Sequence, residues 1–376
     1  MSYLGKILES YASLVQKRYK IILLVVLFFT VFISYGITNI DLESDIQKQM
    51  PQDLPIYKLN DRIENKFSGQ STIFLLFVLD EDISLKQSPK DILDPQIMEY
   101  VLNLESILEK DNRIDSVTSL SPIINSVKEQ QGDITARAMA DALENSPEGK
   151  GLVSDDRKKM IMILGTSVGE SEKETEEINQ LIDEKLNALS NPPSTKIMVT
   201  GNPPLMNTIL GMLRHDAVYT LAIAFVIIFG VLTVLQRSVN RAILVSLPIL
   251  LAITWTAGTL GWLGIKLSFA TAGLGAMVLG LGVEYGIFML TRYREEHSKK
   301  DEIKALKETI PTVGAAIVGS GSTTMIGFLA LTLSIIPMMQ NLGLSLAIGI
   351  FFCIIATVLI QPAFFILSEK ITGEKV

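Results

Sequence analysis

Six apolar runs dominate this 376-residue chain, near residues 21–37, 217–235, 242–264, 267–290, 311–336 and 340–367. A hydrocarbon core of about 30 Å is crossed by roughly 20 apolar residues rising about 1.5 Å each, so each run is long enough for a membrane-spanning helix. Between the first and second runs lies a polar stretch with a different character. Residues 39–216 carry 31 Asp and Glu against 18 Lys and Arg, while the remainder of the chain carries 9 acidic and 15 basic side chains. That segregation, with 48% hydrophobic residues overall, excludes a single soluble globule and a disordered chain. The single cysteine, Cys353, excludes a disulfide scaffold and lies inside an apolar run, where a small buried hydrophobe is the expected role.

The basic residues set an expected orientation. Fourteen of them, including Lys17, Arg18, Arg237, Arg241, Arg292 and Lys300, fall on one side, and Lys266 alone falls on the other. By the positive-inside rule both termini are expected in the cytoplasm of a multi-pass protein in the cytoplasmic membrane. The expected layout is a cytoplasmic amphipathic helix (1–20), an uncleaved first span (21–38), a large external domain (39–216), five further spans (217–368) and a short tail (369–376). Tyr3, Leu4, Ile7, Leu8, Tyr11, Leu14 and Val15 recur at helical spacing and predict an interfacial helix before the first span. Residues 292–307 read as a solvated connecting helix, and Lys266 as a snorkelling side chain at the external end.

Within the polar stretch, 71–79 and 159–168 read as strands, with shorter ones at 113–120 and 196–200. Helical spacing marks 95–110 and 171–189. The order strand, helix, strand, repeated once, predicts a ferredoxin-like α/β sandwich. Residues 122–151 read as an insertion, helical at first and loose at its end. The acidic charges of the whole 39–216 stretch are interspersed, as on a solvated surface, and nothing marks a nucleic-acid partner.

One enzyme pattern occurs. Gly165-Thr166-Ser167-Val168-Gly169 matches G-x-S-x-G after a strand, but the chain holds only His215 and His297, neither placed to serve it, so a strand-to-helix turn is expected. Neither a phosphate-binding loop nor a zinc-binding H-E-x-x-H pair is written in the chain, so no metal or cofactor is expected. The energy for any transport would then come from a source other than ATP.

The most informative residue is Glu284, in the string Gly280-Leu281-Gly282-Val283-Glu284-Tyr285-Gly286. It precedes Arg292 by eight residues, about 12 Å of helix, and so lies at membrane depth. An acid there costs on the order of 3 kcal/mol on insertion scales and is expected to face a bundle interior or a water path. A carboxyl reached by water from alternate sides can load and release protons; the rival role is an acid that locks two helices together. Ser320, Thr323 and Thr324 in the fifth run are the expected hydroxyl neighbours. Gly280, Gly282 and Gly286, facing Gly319 and Gly321, would let the two helices approach closely.

The whole pattern resembles one repeat of the resistance-nodulation-division superfamily, and within it the MMPL-type hydrophobe exporters. The resemblance is carried by 280–287 with Arg292-Tyr293-Arg294-Glu295-Glu296, by Ser322-Thr323-Thr324 with Gly327-Phe328, by Gly343, by Gln361-Pro362-Ala363 and by Met50-Pro51-Gln52-Asp53-Leu54-Pro55. It implies a six-span (1 + 5) bundle with an external porter domain, and proton-coupled export of a hydrophobic or amphiphilic molecule such as a lipid. It also implies proton relay by Glu284 with Tyr285. Two departures stand out: the family's usual acid is Asp, and its members contain two such repeats where this chain has one. Membrane lipids, a second copy or a second transporter half are the implied partners. The alternatives are a protein-export auxiliary similar to SecD and SecF, and a sterol-sensing type of regulator.

Overall fold

The computed structural model describes residues 3–43, 49–51, 54, 55, 58, 71–80, 89–166, 172–192 and 194–373. The chain divides into two compact units, Met1–Pro51 with Met212–Val376, and Gln52–Gly211.

The second unit is built on a four-stranded antiparallel sheet of β1 (Ser71–Leu79), β2 (Ser116–Thr118), β3 (Lys159–Thr166) and β4 (Thr195–Gly201), in the order β2-β3-β1-β4. β1 alternates, with Ile73, Leu75, Phe77 and Leu79 buried and the residues between them half-buried. A strand that points successive side chains to opposite faces thereby buries one face. In the core with that face are the helices Pro95–Leu108 and Glu172–Ala188, through Ile97, Val101, Leu104, Ile178 and Leu181. Asp94 caps the first of these, its carboxylate accepting from the Gln96 amide, with Pro95 in the first turn where no donor is needed.

Two details depart from the sequence reading. β2 is three residues long where 113–120 was expected, because Ser119 and Ser121 donate to the Glu105 carboxylate and turn the chain into a helix at once. The insertion is more ordered than expected: Ser121–Gln131 and Ala136–Glu144 are helices, the second capped by Thr135, and a single turn follows at Pro147–Lys150. Of the G-x-S-x-G string, Gly165 and Thr166 end β3, and Ser167 to Gly169 lie outside the described residues.

The first unit contains helices long and apolar enough to cross a membrane; with the helix that joins the units they number six among the described residues: Gly5–Asn39, Asn202–Gln236, Val239–Trp262, Leu274–His297, Glu302–Leu333 and Pro337–Thr372. The first is interrupted at Arg18, whose φ of −129° and ψ of 23° mark a kink. Before the kink the buried stripe is Leu8, Ala12 and Val15, packed on the bundle and continued just past it by Tyr19, while Ile7 and Leu14 are exposed. This amphipathic segment therefore turns its apolar face to the other helices as well as to any lipid.

The fourth span begins at Leu274, seven residues later than expected. The segment before it pairs with the chain that leaves the first span: Leu267 N–H donates to the Asp41 carbonyl at 2.9 Å and Glu43 N–H to the Leu267 carbonyl at 2.8 Å. Lys266 does not simply snorkel; its Nζ lies 2.9 Å from the Glu43 carboxylate. The expected connecting helix is likewise divided. The fourth span runs to His297 and the fifth starts at Glu302, with a turn between. Arg292 and Lys300 both reach Glu296, at 2.7 and 2.8 Å, and so fasten that turn. The sixth span is continuous but opens into a π turn at Ala356–Ile360.

Candidate functional site: Glu284 and the groove between the fourth and fifth spans

Glu284 is the eleventh of the 24 residues of Leu274–His297, which places it near the middle of the span. Adjacent helix positions diverge by about 100°, and the structure uses this to separate the pair. Tyr285 is buried at 6% exposure, its hydroxyl directed to Thr324 of the fifth span. Glu284, the next position round the helix, is exposed, and both side chains line one groove. The carboxylate does not face the interior of this chain's own bundle, and it has no hydrogen-bond or ion-pair partner among the described residues.

What Glu284 does line is a cavity of about 650 Å³ between the fourth and fifth spans. Phe288, Thr291, Arg292 and Glu295 continue it along the fourth span, and Thr312, Ala316 and Ser320 form the facing wall. Ser320 is thus brought to Glu284, as expected. Thr323 and Thr324 are not part of this wall; both hydroxyls donate to the Ser320 carbonyl, at 2.7 and 3.2 Å.

The five glycines expected at the helix contact divide into two sets. A Cβ on Gly282 would stand 2.8 Å from Cys353 Sγ, one on Gly286 3.0 Å from Val245, and one on Gly321 3.3 Å from the Tyr285 hydroxyl. Gly282 and Gly286 therefore pack against the third and sixth spans rather than the fifth, and of these three only Gly321, beside Tyr285, serves the contact between the fourth and fifth. At Gly280 and Gly319 a Cβ would meet nothing within 4 Å, so these two pack against no helix of this chain. They lie instead on the exposed faces that hold Glu284 and Ser320. On the fourth span Met277, Gly280, Glu284, Phe288, Thr291 and Glu295 are all exposed, at steps of three or four residues. That spacing makes one continuous stripe.

The sequence reading missed the structural use of Gln361. Its side-chain amide is fully buried and donates to two carbonyls, Gly286 at 3.0 Å and Leu244 at 3.2 Å. Leu244 is four residues before Pro248, inside the third span, where proline supplies no N–H to complete the helical bond. Gln361 supplies the missing donor and, by the same group, holds the third, fourth and sixth spans together two residues from Glu284. A lone amide in an apolar run, paired with a proline in another, was the available signal.

The MMPL family model matches residues 95–373. The putative membrane protein MJ1562 of Methanocaldococcus jannaschii is 30% identical over 373 residues, covering 98% of this chain and 95% of that protein. The siderophore exporter MmpL5 of Mycobacterium tuberculosis is 25% identical over 226 residues, 58% of this chain and 23% of the exporter. In three dimensions the chain is similar to the hedgehog release protein Disp from the water bear Hypsibius dujardini, with a TM-score of 0.70 at 14% identity, over 98% of this chain and 51% of that one. The match thus covers nearly all of one relative and about half of a solved structure with the same fold. With six apolar helices, this multi-pass membrane protein belongs to the MMPL family.

Proposed function

We propose that the chain is one half of a proton-coupled exporter of hydrophobic or amphiphilic molecules, lipids foremost, and that two copies pair through the Glu284 stripe to complete it. The observation that carries this reading is Glu284 itself: a partnerless carboxylate, mid-span, on the outer face of its own bundle. Facing lipid, such a group would cost on the order of 3 kcal/mol. A second copy running in the same direction covers it. Gly280 and Gly319, idle within one chain, then serve the contact between chains.

Paired carboxylates in a groove lined by Ser320 and Thr291 can take up protons from one side and release them to the other. A proton crossing about 100 mV supplies roughly 2.3 kcal/mol, and each pH unit about 1.36 kcal/mol, a scale suited to moving an amphiphile without ATP. The four-stranded unit, read as a ferredoxin-like porter domain outside the membrane, would carry the cargo path, with both termini in the cytoplasm. The similarity to MmpL5, a siderophore exporter, supports the direction. The test is purified protein in liposomes with a pH-sensitive dye inside. An imposed cargo gradient should drive proton movement in the wild type and in Glu284→Asp, and none in Glu284→Gln.

A further inference from the structure

A second cavity, of about 480 Å³, lies on the other side of the bundle, where the first span meets the third and sixth. Its walls are carbon: Ile22, Val26 and Phe29 from the first span, Trp255 from the third, Phe352 and Leu359 from the sixth. The polar atoms of these walls are engaged elsewhere. Trp255 Nε1 donates to Thr30 at 2.9 Å, and the Tyr11 hydroxyl donates to the Leu359 carbonyl in the π turn. Arg18 is the exception. It stands at the mouth, at the kink between the amphipathic segment and the span, exposed and without an ion-pair or hydrogen-bond partner among the described residues.

The dimensions fit one class of ligand. From Arg18 to Phe29 is eleven residues, about 16 Å of helix, which is one leaflet of a hydrocarbon core about 30 Å thick. A groove one leaflet deep, apolar throughout, with a free guanidinium at the headgroup level, has the shape and charge of an anionic phospholipid. We infer that this groove binds an anionic phospholipid of the leaflet on the N-terminal side, its phosphate on Arg18 and one acyl chain along the first span toward Trp255. A zwitterionic lipid offers the same chain but carries its own cation beside the phosphate, so Arg18 selects against it. The site shares no residue with the Glu284 groove and stands whether or not that groove moves protons.

Trp255 reports on the deep end of the groove. The chain has two tryptophans, so Trp262→Phe leaves Trp255 as the sole emitter. This variant is reconstituted with lipids brominated on the acyl chain, either phosphatidylglycerol or phosphatidylcholine. Half-maximal quenching is expected at about five-fold lower mole fraction of the phosphatidylglycerol, the preference that one cation near an anionic headgroup confers. Arg18→Gln should abolish the difference while keeping quenching by brominated phosphatidylcholine, which shows that the groove is still formed. Ile355 also lines the sixth-span wall, and Ile355→Phe, which fills the groove, should weaken quenching by both. Equal mole fractions for the two lipids in the parent, a preference that survives Arg18→Gln, or no quenching by either lipid would overturn the assignment.

Discussion

Pro248 and Gln361 are complementary across two spans. The proline leaves the Leu244 carbonyl without its helical donor, and the Gln361 amide, from the sixth span, donates to that carbonyl at 3.2 Å while also reaching Gly286. Irregular backbone in lipid is tolerated where a neighbouring side chain satisfies it. Gln361→Leu would leave both buried carbonyls short of this donor, at about 1–3 kcal/mol for each group left unsatisfied. Thermal unfolding in detergent should shift downward by several degrees, whereas Gln361→Leu combined with Pro248→Ala should recover part of the loss.

Gly282 and Gly280 should respond oppositely to the same substitution. Gly282→Ala places a methyl 2.8 Å from Cys353 Sγ and 3.2 Å from Ile249, and overpacking of that kind costs about 1–3 kcal/mol. Gly280→Ala meets nothing and gains helix propensity, worth up to about 1 kcal/mol. Melting curves of the two variants in detergent check the pair of expectations. Cys353→Ala should relieve the first.

The proposed pairing makes a positional forecast. In a Cys353→Ala background, Thr291→Cys should cross-link to its own copy in membranes with a short bifunctional maleimide. Phe28→Cys, exposed on the first span, should not. Gly280→Leu should leave the fold intact and abolish the cross-link. Cross-linking of similar yield at both cysteines would count against a specific interface.

Asp111 ties acid stability to one pair in the sheet-bearing unit. Hydrogen bonds from Arg113, at 2.8 and 2.9 Å, hold its carboxyl down at about 2, below the usual 3.8. A depressed folded value means that the stabilisation is complete above about pH 4 and is lost as pH falls toward 2. The pair is partly exposed, so its worth is about 0.2–1 kcal/mol. Asp111→Asn should therefore lower stability near pH 6 and converge with wild type near pH 2, as followed by chemical unfolding of the full chain.

Much of this fold is legible in the amino-acid sequence alone. β1 and the helix starting at Pro95 fall where alternation and helical spacing put them, because one face of each is buried in a single core and the pattern records that face. The start of the fourth span was misplaced because hydropathy cannot distinguish residues 267–273, held by backbone pairing to Asp41 and Glu43, from a helical turn. At the site, the depth of Glu284 followed from its distance to Arg292. Its direction did not, because a glycine-rich helix has no apolar stripe to mark which side is inside. Gly280 and Gly282 look alike in sequence, and only the packing of Cys353 and Ile249 against one of them separates their roles.

Proton flux through Glu284→Gln tests the central claim most directly. In liposomes holding the pure chain, cargo-driven acidification should be present in wild type, retained at reduced rate in Glu284→Asp and absent in Glu284→Gln, with the Thr291→Cys cross-link unchanged in a matched Gln variant. Flux at the wild-type rate in Glu284→Gln, with the pairing intact, would contradict a proton-carrying role for this carboxylate and leave it a structural group of the interface.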